Sequence, residues 1–360
     1  MRIAFIDSWI QTIAEGSGTA AGIGGLQRAL VSRGVQVSRL APPQAWPANL
    51  TARRLLFNLQ LPALLRSARY DLVVGFDIDG FRYAGTRGRA PYLCSIKGVI
   101  AEEMQHERGQ IRALFELLSR IEGLNARTAD AVLTTSRYCQ AAVERHYRVP
   151  PGAVRLIPEG IDLPRWQALA REVPRGGGGA TILCVARQYP RKHVADLLRA
   201  LPAVRRAVPR ARAIIAGDGP EHANLHALAG ELGLGAAVHF TGALPDDDLA
   251  QLYRQADVFC LPSVQEGFGI VFLEAMACGL PVVATRSAAI PEVVPDCAAG
   301  LLVPPSDPPA LAGALTELLQ SPQLRAEYGQ RGQEHVAQFD WPRVADLFLQ
   351  QVAPFVRATA

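Results

Sequence analysis

Twelve short apolar or β-branched runs, each followed by a stretch with helical spacing, constrain the fold of this chain more than any other feature. In the first half they are RIAFID (2–7), VQVSRL (35–40), DLVVGF (71–76), PYLCSI (91–96), AVLTTS (131–136) and VRLIPEG (154–160). In the second half they are TILCVAR (181–187), RAIIAGDG (212–219), AVHFTG (237–242), VFCLPS (258–263), PVVATR (281–286) and GLLVPP (300–305). A strand wetted on one face alternates polar and apolar residues, whereas continuous apolar strands separated by helices mark parallel sheets covered on both faces. The runs predict an α/β fold of two doubly wound, Rossmann-like sheets with roughly six strands each. A length of 360 residues exceeds what one core usually serves and suits two domains facing a cleft.

The remaining bulk properties exclude several classes. A composition 49% hydrophobic and 19% charged, with mean hydropathy +0.11, is that of a globular chain. MRIAFIDSWIQ has none of the three regions of a signal peptide, and no apolar run reaches 18 residues, so a cytoplasmic chain without a membrane span is expected. Six cysteines (Cys94, Cys139, Cys184, Cys260, Cys278, Cys297) form no CxxC pair and read as buried free thiols. The net charge of +4 is scattered, without basic tail or aromatic interleaving, which argues against nucleic acid as a partner.

Ligands of such sheets bind beyond the carboxyl ends of the strands. One stretch there, EGFGIVFLEAMACGLPVVAT (266–285), places Glu266 and Glu274 around Gly267 and Gly269. A helix beginning near Phe268 would aim free N–H groups at an anion, and glycines let backbone approach it. The two glutamates would then lie about 9–12 Å apart, with Glu274 some two turns into the helix. That span suits two hydroxyl-bearing rings flanking a diphosphate; the plainer reading is a helix cap and a solvated helix residue. ARQYPRK after the seventh run adds Arg187 and Lys192, cations able to stabilise a leaving diphosphate without a metal.

Together these residues resemble the retaining glycosyltransferases of two-Rossmann (GT-B) architecture, specifically family 4. The resemblance covers nearly the whole chain: a glycine-rich first loop GSGTAAGIGG (16–25), ADAVLTTSRYCQAAVERHYRVPPGAVRLIPEGID, VARQYPRK, IAGDGPE, FTGALPDDDLAQLYRQADVFCLPS and the 266–285 stretch. It implies that Arg187 and Lys192 hold the donor diphosphate, assisted by backbone from Phe268, Gly269 and Ile270. Glu274 would bind the nucleotide ribose and Glu266 the donor sugar, with Gly217, Leu244 and Gly267 also at the donor. Gly24 and Gly25 of the first loop would close over the phosphates. The implied domains are 1–165 for the acceptor, 166–340 for the donor and 341–360 as a helix returning to the first domain.

The implied reaction moves a sugar from a nucleoside-diphosphate sugar to a carbohydrate, lipid or small-molecule acceptor with retention, without cofactor or metal. Lys97, where the family often has histidine, stands as a further catalytic candidate or as a solvated loop lysine. Glu159 replaces the usual asparagine of IPNGID. Both departures leave open a non-catalytic sugar-nucleotide-binding or partner subunit.

Other signals in the sequence compete with this reading. Asp77 and Asp79 in FDIDG have the DxD spacing of metal-dependent transferases, and the alternatives are acceptor-side or structural acids. Asp246, Asp247 and Asp248 suit the first turn of a helix. A paired-carboxylate hydrolase leaves Arg187 and Lys192 without a role, and the glycine loop does not follow its strand directly, as a dinucleotide fingerprint requires. REVPRGGGGA (171–180) reads as a loop near the domain boundary. Residues 51–70, with arginines among leucines and a break expected near Pro62, are either a packed helix or a face for peripheral membrane contact at the inner leaflet.

Overall fold

A computed structural model of the chain describes residues 1–8, 18–43, 49–66, 69–86, 88–172, 178 and 180–356. It contains two compact units, Met1–Gly160 with Trp341–Ala360, and Ile161–Asp340. The expected boundary at 165/166 falls five residues late, because Ile161 and Trp166 are already buried in the second core. The backbone passes between the units twice; at those points Ile161 bridges Asp340 and its N–H donates to Phe339 O at 2.9 Å.

The first unit has β1 (Arg2–Ile6), β2 (Gln36–Leu40), β3 (Leu72–Phe76), β4 (Tyr92–Ile96), β5 (Ala131–Thr134) and β6 (Val154–Leu156), all parallel in the order β2-β1-β3-β4-β5-β6. The second has β7 (Thr181–Val185), β8 (Arg212–Ala216), β9 (Val238–Gly242), β10 (Val258–Leu261), β11 (Val282–Thr285) and β12 (Gly300–Val303) in the order β12-β11-β10-β7-β8-β9, also parallel. Every apolar run named above supplies one strand.

Two-residue periodicity explains the covered faces. In the first unit Ala4, Ile6, Val73 and Cys94 join one cluster, and Ile3, Phe5, Leu72 and Val74 join the other. The second cluster is completed by the helices Gly18–Val31 and Trp341–Val352, the latter burying Trp341, Val344, Phe348 and Val352. The carboxy-terminal helix is therefore part of the first unit's core.

Three local expectations are corrected. Within GSGTAAGIGG, residues from Gly18 onward form the helix Gly18–Val31 and not a loop; Gly16 and Ser17 lie outside the described residues. Glycines weaken a helix by about 0.5–1 kcal/mol each, but a Cβ at Gly25 would collide with the Trp341 ring, and burial of Ile23, Leu26 and Leu30 holds the helix in place. The helix Leu50–Arg66 runs through Pro62, flanked by buried Leu61 and Leu65. Most of 171–180 lies outside the described residues, and the unit boundary is elsewhere. Asp246, Asp247 and Asp248 open the helix Asp246–Gln255, as expected. Five cysteines are buried and free, but Cys297 is exposed.

Candidate active site

In the second unit the strand order reverses between β7 and β10, the place where open α/β sheets bind ligands. The segments leaving those two strands meet there. After β7 the chain turns through the short 3₁₀ segment Pro190–Lys192, and after β10 it runs through Ser263 to Gly269. Lys192 Nζ donates to Glu266 Oε1 at 2.6 Å, and Ser263 Oγ donates to the same oxygen at 2.8 Å. Both side chains of the ion pair are largely buried, 15% and 8% exposed. Backbone fixes the approach: Val264 N–H donates to Arg191 O at 2.9 Å, while the hydroxyls of Thr285 at the end of β11 and Ser287 just past it donate to Ser263 O and Val264 O.

Helix Ile270–Ala277 begins directly after this pair, two residues later than expected. Its cap Gly269 has φ +95°, and a Cβ there would lie 2.6 Å from the Phe272 ring. Glycine is thus required by both backbone and packing. Phe268 is buried edge-on against Phe339 at 5.5 Å, and half-buried Gly267 separates it from Glu266. Glu274 lies one turn into the helix and not two; it accepts from Tyr253 Oη at 2.8 Å. Burial, and then the Glu274 charge, pushes the Tyr253 phenol well above its ordinary value, so it remains a donor.

Arg187 is half-buried, with its guanidinium 5.9 Å from the Tyr189 ring. Next to it stands a residue the sequence reading passed over. Gln188 is fully buried; its Nε2 donates to Gly217 O at 2.8 Å and its Oε1 lies 2.8 Å from His222 Nδ1. Gly217, at φ +112°, sits so close to Ala186 that a Cβ would strike its carbonyl oxygen, and its N–H donates to Gly242 O at 2.7 Å. Gln188 therefore ties the segment after β7 to the GDGP turn after β8, and Gly217 ties that turn to the end of β9. Half-buried Leu244 lies two residues past β9. The clue in the sequence was adjacency alone, a polar residue beside Arg187.

The other predicted residues lie in the first unit. Gly24 and Gly25 are helical, and Gly25 accommodates Trp341. Lys97, just past β4, is not solvated: its Nζ lies 2.7 Å from Glu159 Oε1, with the side chains 10% and 4% exposed. The two departures from the family pattern thus form one ion pair. Asp77 and Asp79 do different things. Asp77 Oδ1 accepts from the Lys97 N–H at 3.2 Å. Asp79 accepts from Ser8 N and Oγ at 2.9 and 2.6 Å, from Asn58 Nδ2 at 3.0 Å and from Arg54 at 3.5 Å. Among the described residues no group of three or more His, Cys, Asp or Glu side chains is placed to share a metal ion.

Two family models divide the chain between them: Glycosyltransferase Family 4 matches residues 16–165, and Glycosyl transferases group 1 matches 167–335. A GDP-mannose-dependent alpha-(1-6)-phosphatidylinositol monomannoside mannosyltransferase of Mycobacterium tuberculosis is 33% identical over 282 residues, 74% of this chain and 71% of that protein. The chain belongs to glycosyltransferase family 4. A family member of the same description from Mycolicibacterium smegmatis is 38% identical over 226 residues, and there the aligned part is 59% of each chain. A D-inositol 3-phosphate glycosyltransferase of Saccharomonospora viridis, 37% identical, is matched over 57% of this chain and 51% of its own length. In fold, the chain is similar to sucrose-phosphate synthase from Thermosynechococcus elongatus, with TM-score 0.81 at 24% identity over 98% of this chain and 99% of the other. The two parallel six-stranded sheets are those of the GT-B architecture.

Proposed function

We propose that this family 4 member is a retaining, metal-independent glycosyltransferase that moves a sugar from a nucleoside-diphosphate sugar to an acceptor hydroxyl. The observation that carries the reading is the Lys192–Glu266 pair across the β7/β10 reversal, beside a glycine-capped helix start. The second unit takes the donor and the first takes the acceptor. Lys192, Arg187 and the N–H groups at the start of helix Ile270–Ala277 stabilise the charge that develops on the leaving diphosphate. Glu266 orients Lys192 and accepts from donor sugar hydroxyls, and Glu274, oriented by Tyr253, accepts from the ribose.

In the transfer step the bond from the anomeric carbon to the diphosphate oxygen breaks, and the acceptor oxygen bonds to that carbon on the same face. The acceptor proton passes to the departing diphosphate oxygen. Glu266 Oε1 already accepts from Lys192 and Ser263, which suits an orienting role better than nucleophilic attack.

The relatives named above suggest a polyol or glycolipid acceptor. No helix among the described residues is long and apolar enough to cross a membrane. Helix Leu50–Arg66 exposes Leu56, Leu59 and Leu64, and helix Gly109–Thr128 exposes Ile111, Leu114, Leu117 and Leu124. These exposed apolar residues support peripheral contact with a membrane at the inner face, where the chain would work; absence of flotation with anionic liposomes removes that part of the proposal.

Thermal unfolding with UDP, GDP, ADP and dTDP, each with EDTA, tests the donor site. A nucleotide at about 100 times its dissociation constant adds roughly 2.7 kcal/mol, or several degrees at about 2–4 °C per kcal/mol. A shift with one nucleotide names the base. A shift that appears only with manganese retires metal independence, no shift under either condition points to a degenerate donor site or a non-nucleotide donor, and binding without donor cleavage favours the non-catalytic subunit.

A further inference from the structure

Arg187 and Lys192 stand on one stretch that leaves β7 at the strand-order reversal, and its backbone lies against the GDGP turn, 217–220. Ala186 N–H donates to Ala216 O at 3.0 Å, Gln188 N–H donates to Asp218 O at 2.9 Å, and Glu221 N–H donates back to Gln188 O at 3.0 Å. The approach is close enough at two points to require glycine. A Cβ on Gly217 would lie 2.1 Å from Ala186 O, and one on Gly219 would lie 2.7 Å from Gln188 N. Further along, Tyr189 N–H donates to Arg187 O at 2.7 Å and Lys192 N–H donates to Tyr189 O at 3.0 Å, so two short turns pass the placement of Gln188 to both cations.

The Gln188 side chain closes this junction in one orientation. Its amide nitrogen faces Gly217 O at 2.8 Å, and a carbonyl only accepts, so the other amide atom, 2.8 Å from His222 Nδ1, is the oxygen. The His222 Nδ1 therefore carries the proton and donates it. His222 opens the helix His222–Glu231 just past the turn, and its ring is set by those of His226 and Phe240, 4.6 and 5.8 Å away between centroids. Asp218 Oδ1, 3.6 Å from the same Nδ1, is the other charged group beside it. Because Gln188 is fully buried, loss of either partner leaves a polar group unpaired in the interior.

We propose that Gln188 is a positioning residue for the donor diphosphate and that His222 holds it in place. Together they fix Arg187 and Lys192 against the GDGP turn, so that both cations meet the diphosphate without rearranging. This rests on the reading above of Arg187 and Lys192 as diphosphate ligands. Arginine and lysine carry long flexible stems, and ordering their backbone in advance removes part of the cost of ordering them on binding. Gln188 touches no ligand in this scheme; it acts through the peptide units of its own stretch. A misplacement of about 1 Å at such a distance from the chemistry is enough to matter.

The test uses the full chain and whichever of UDP, GDP, ADP and dTDP stabilises it. Calorimetry compares that diphosphate with its monophosphate, and the ratio of the two dissociation constants reports on the groups that hold the diphosphate. Wild type should prefer the diphosphate by about ten-fold or more, and Gln188→Met, similar in length but without the amide, should lower that ratio about ten-fold. A general loss of stability weakens both nucleotides alike and leaves the ratio unchanged. His222 supplies the second arm, which also decides the matter if Gln188→Met proves unfolded by circular dichroism. His222→Asn keeps an N–H near the position of Nδ1 but loses the ring, and should retain the ratio. His222→Phe keeps the ring but loses the N–H, and should lower the ratio as Gln188→Met does. A ratio that His222→Phe retains, or that His222→Asn lowers as far as His222→Phe, overturns the proposal, since the hydrogen bond would then not be what counts. A ratio unchanged in folded Gln188→Met overturns it too, and each of these results leaves the donor reading intact. Wild type that binds both nucleotides equally removes Arg187 and Lys192 from the diphosphate, and wild type that binds no nucleotide overturns the donor reading itself.

Discussion

Both sheets reverse their strand order once, yet the two reversals are finished differently. In the first unit the reversal lies between β1 and β3, where Ser8 and Asp79 join the two strand ends. Asp79 is fully buried and accepts from Ser8, Asn58 and Arg54, so protein groups satisfy its carboxylate. In the second unit Lys192 and Glu266 join β7 to β10, with Lys192 and Ser263 both donating to one carboxylate oxygen and a helix start soon after. A rigidly satisfied acid holds a fold together, whereas a lysine on a flexible stem with donors to spare can exchange its partner for a phosphate. The topology provides two equivalent places, and in the proposed function the side chains decide which one does chemistry.

That contrast can be broken most forcefully by isosteric removal of each charge. Asp79→Asn places an amide opposite donors and removes the carboxylate that Arg54 reaches at 3.5 Å; loss of one partner of a buried pair typically costs about 3–5 kcal/mol. Chemical denaturation should show this as a lower midpoint. Glu266→Gln keeps the size and an oxygen for Lys192, so unfolding should change much less while kcat falls about 10²–10³-fold. An Asp79→Asn protein that is fully stable but inactive would reverse the assignment of the two reversals.

Gly25→Ala sharpens the comparison at the next level. Overpacking against Trp341 should lower stability by about 1–3 kcal/mol, with nucleotide affinity unchanged in calorimetry. Weakened nucleotide binding at unchanged stability would instead restore Gly25 to the phosphates. Tyr253→Phe removes the donor to Glu274 and should weaken nucleotide binding by about 1 kcal/mol, roughly five-fold. An unchanged dissociation constant would separate Glu274 from the ribose.

The smallest effect concerns pH. Burial, and then the Asp77 charge, raises the Glu122 carboxyl well above its ordinary 4.5, so the folded state favours its protonated form. The corresponding stability is complete below the unfolded carboxyl value and is lost as pH rises through the folded one. Glu122→Gln should be more stable than wild type at alkaline pH and flatter across the pH series by thermal unfolding; a parallel curve would leave Glu122 ionised in the fold.

The sequence by itself determined the strands, because continuous apolar runs such as TILCV and VFCL are compatible with only one environment, the middle of a parallel sheet. It also determined the family, through motifs at fixed spacing, and a helix start close to Gly269, though two residues early. It did not determine what the glycines of 18–25 do, since glycine permits a loop and a closely packed helix alike, and only Trp341 and Glu159 arriving from distant segments select the helix. Pro62 misled for the same reason, as buried neighbours can offset its local penalty. Gln188 carried no local sign of linking two turns. Lys97 and Glu159, 62 positions apart by their numbers, became one ion pair only when parallel pairing of β4, β5 and β6 brought their strand ends together. Local patterns record the environment each residue needs, but which charge meets which is set by strand order, and strand order exists only in the folded chain.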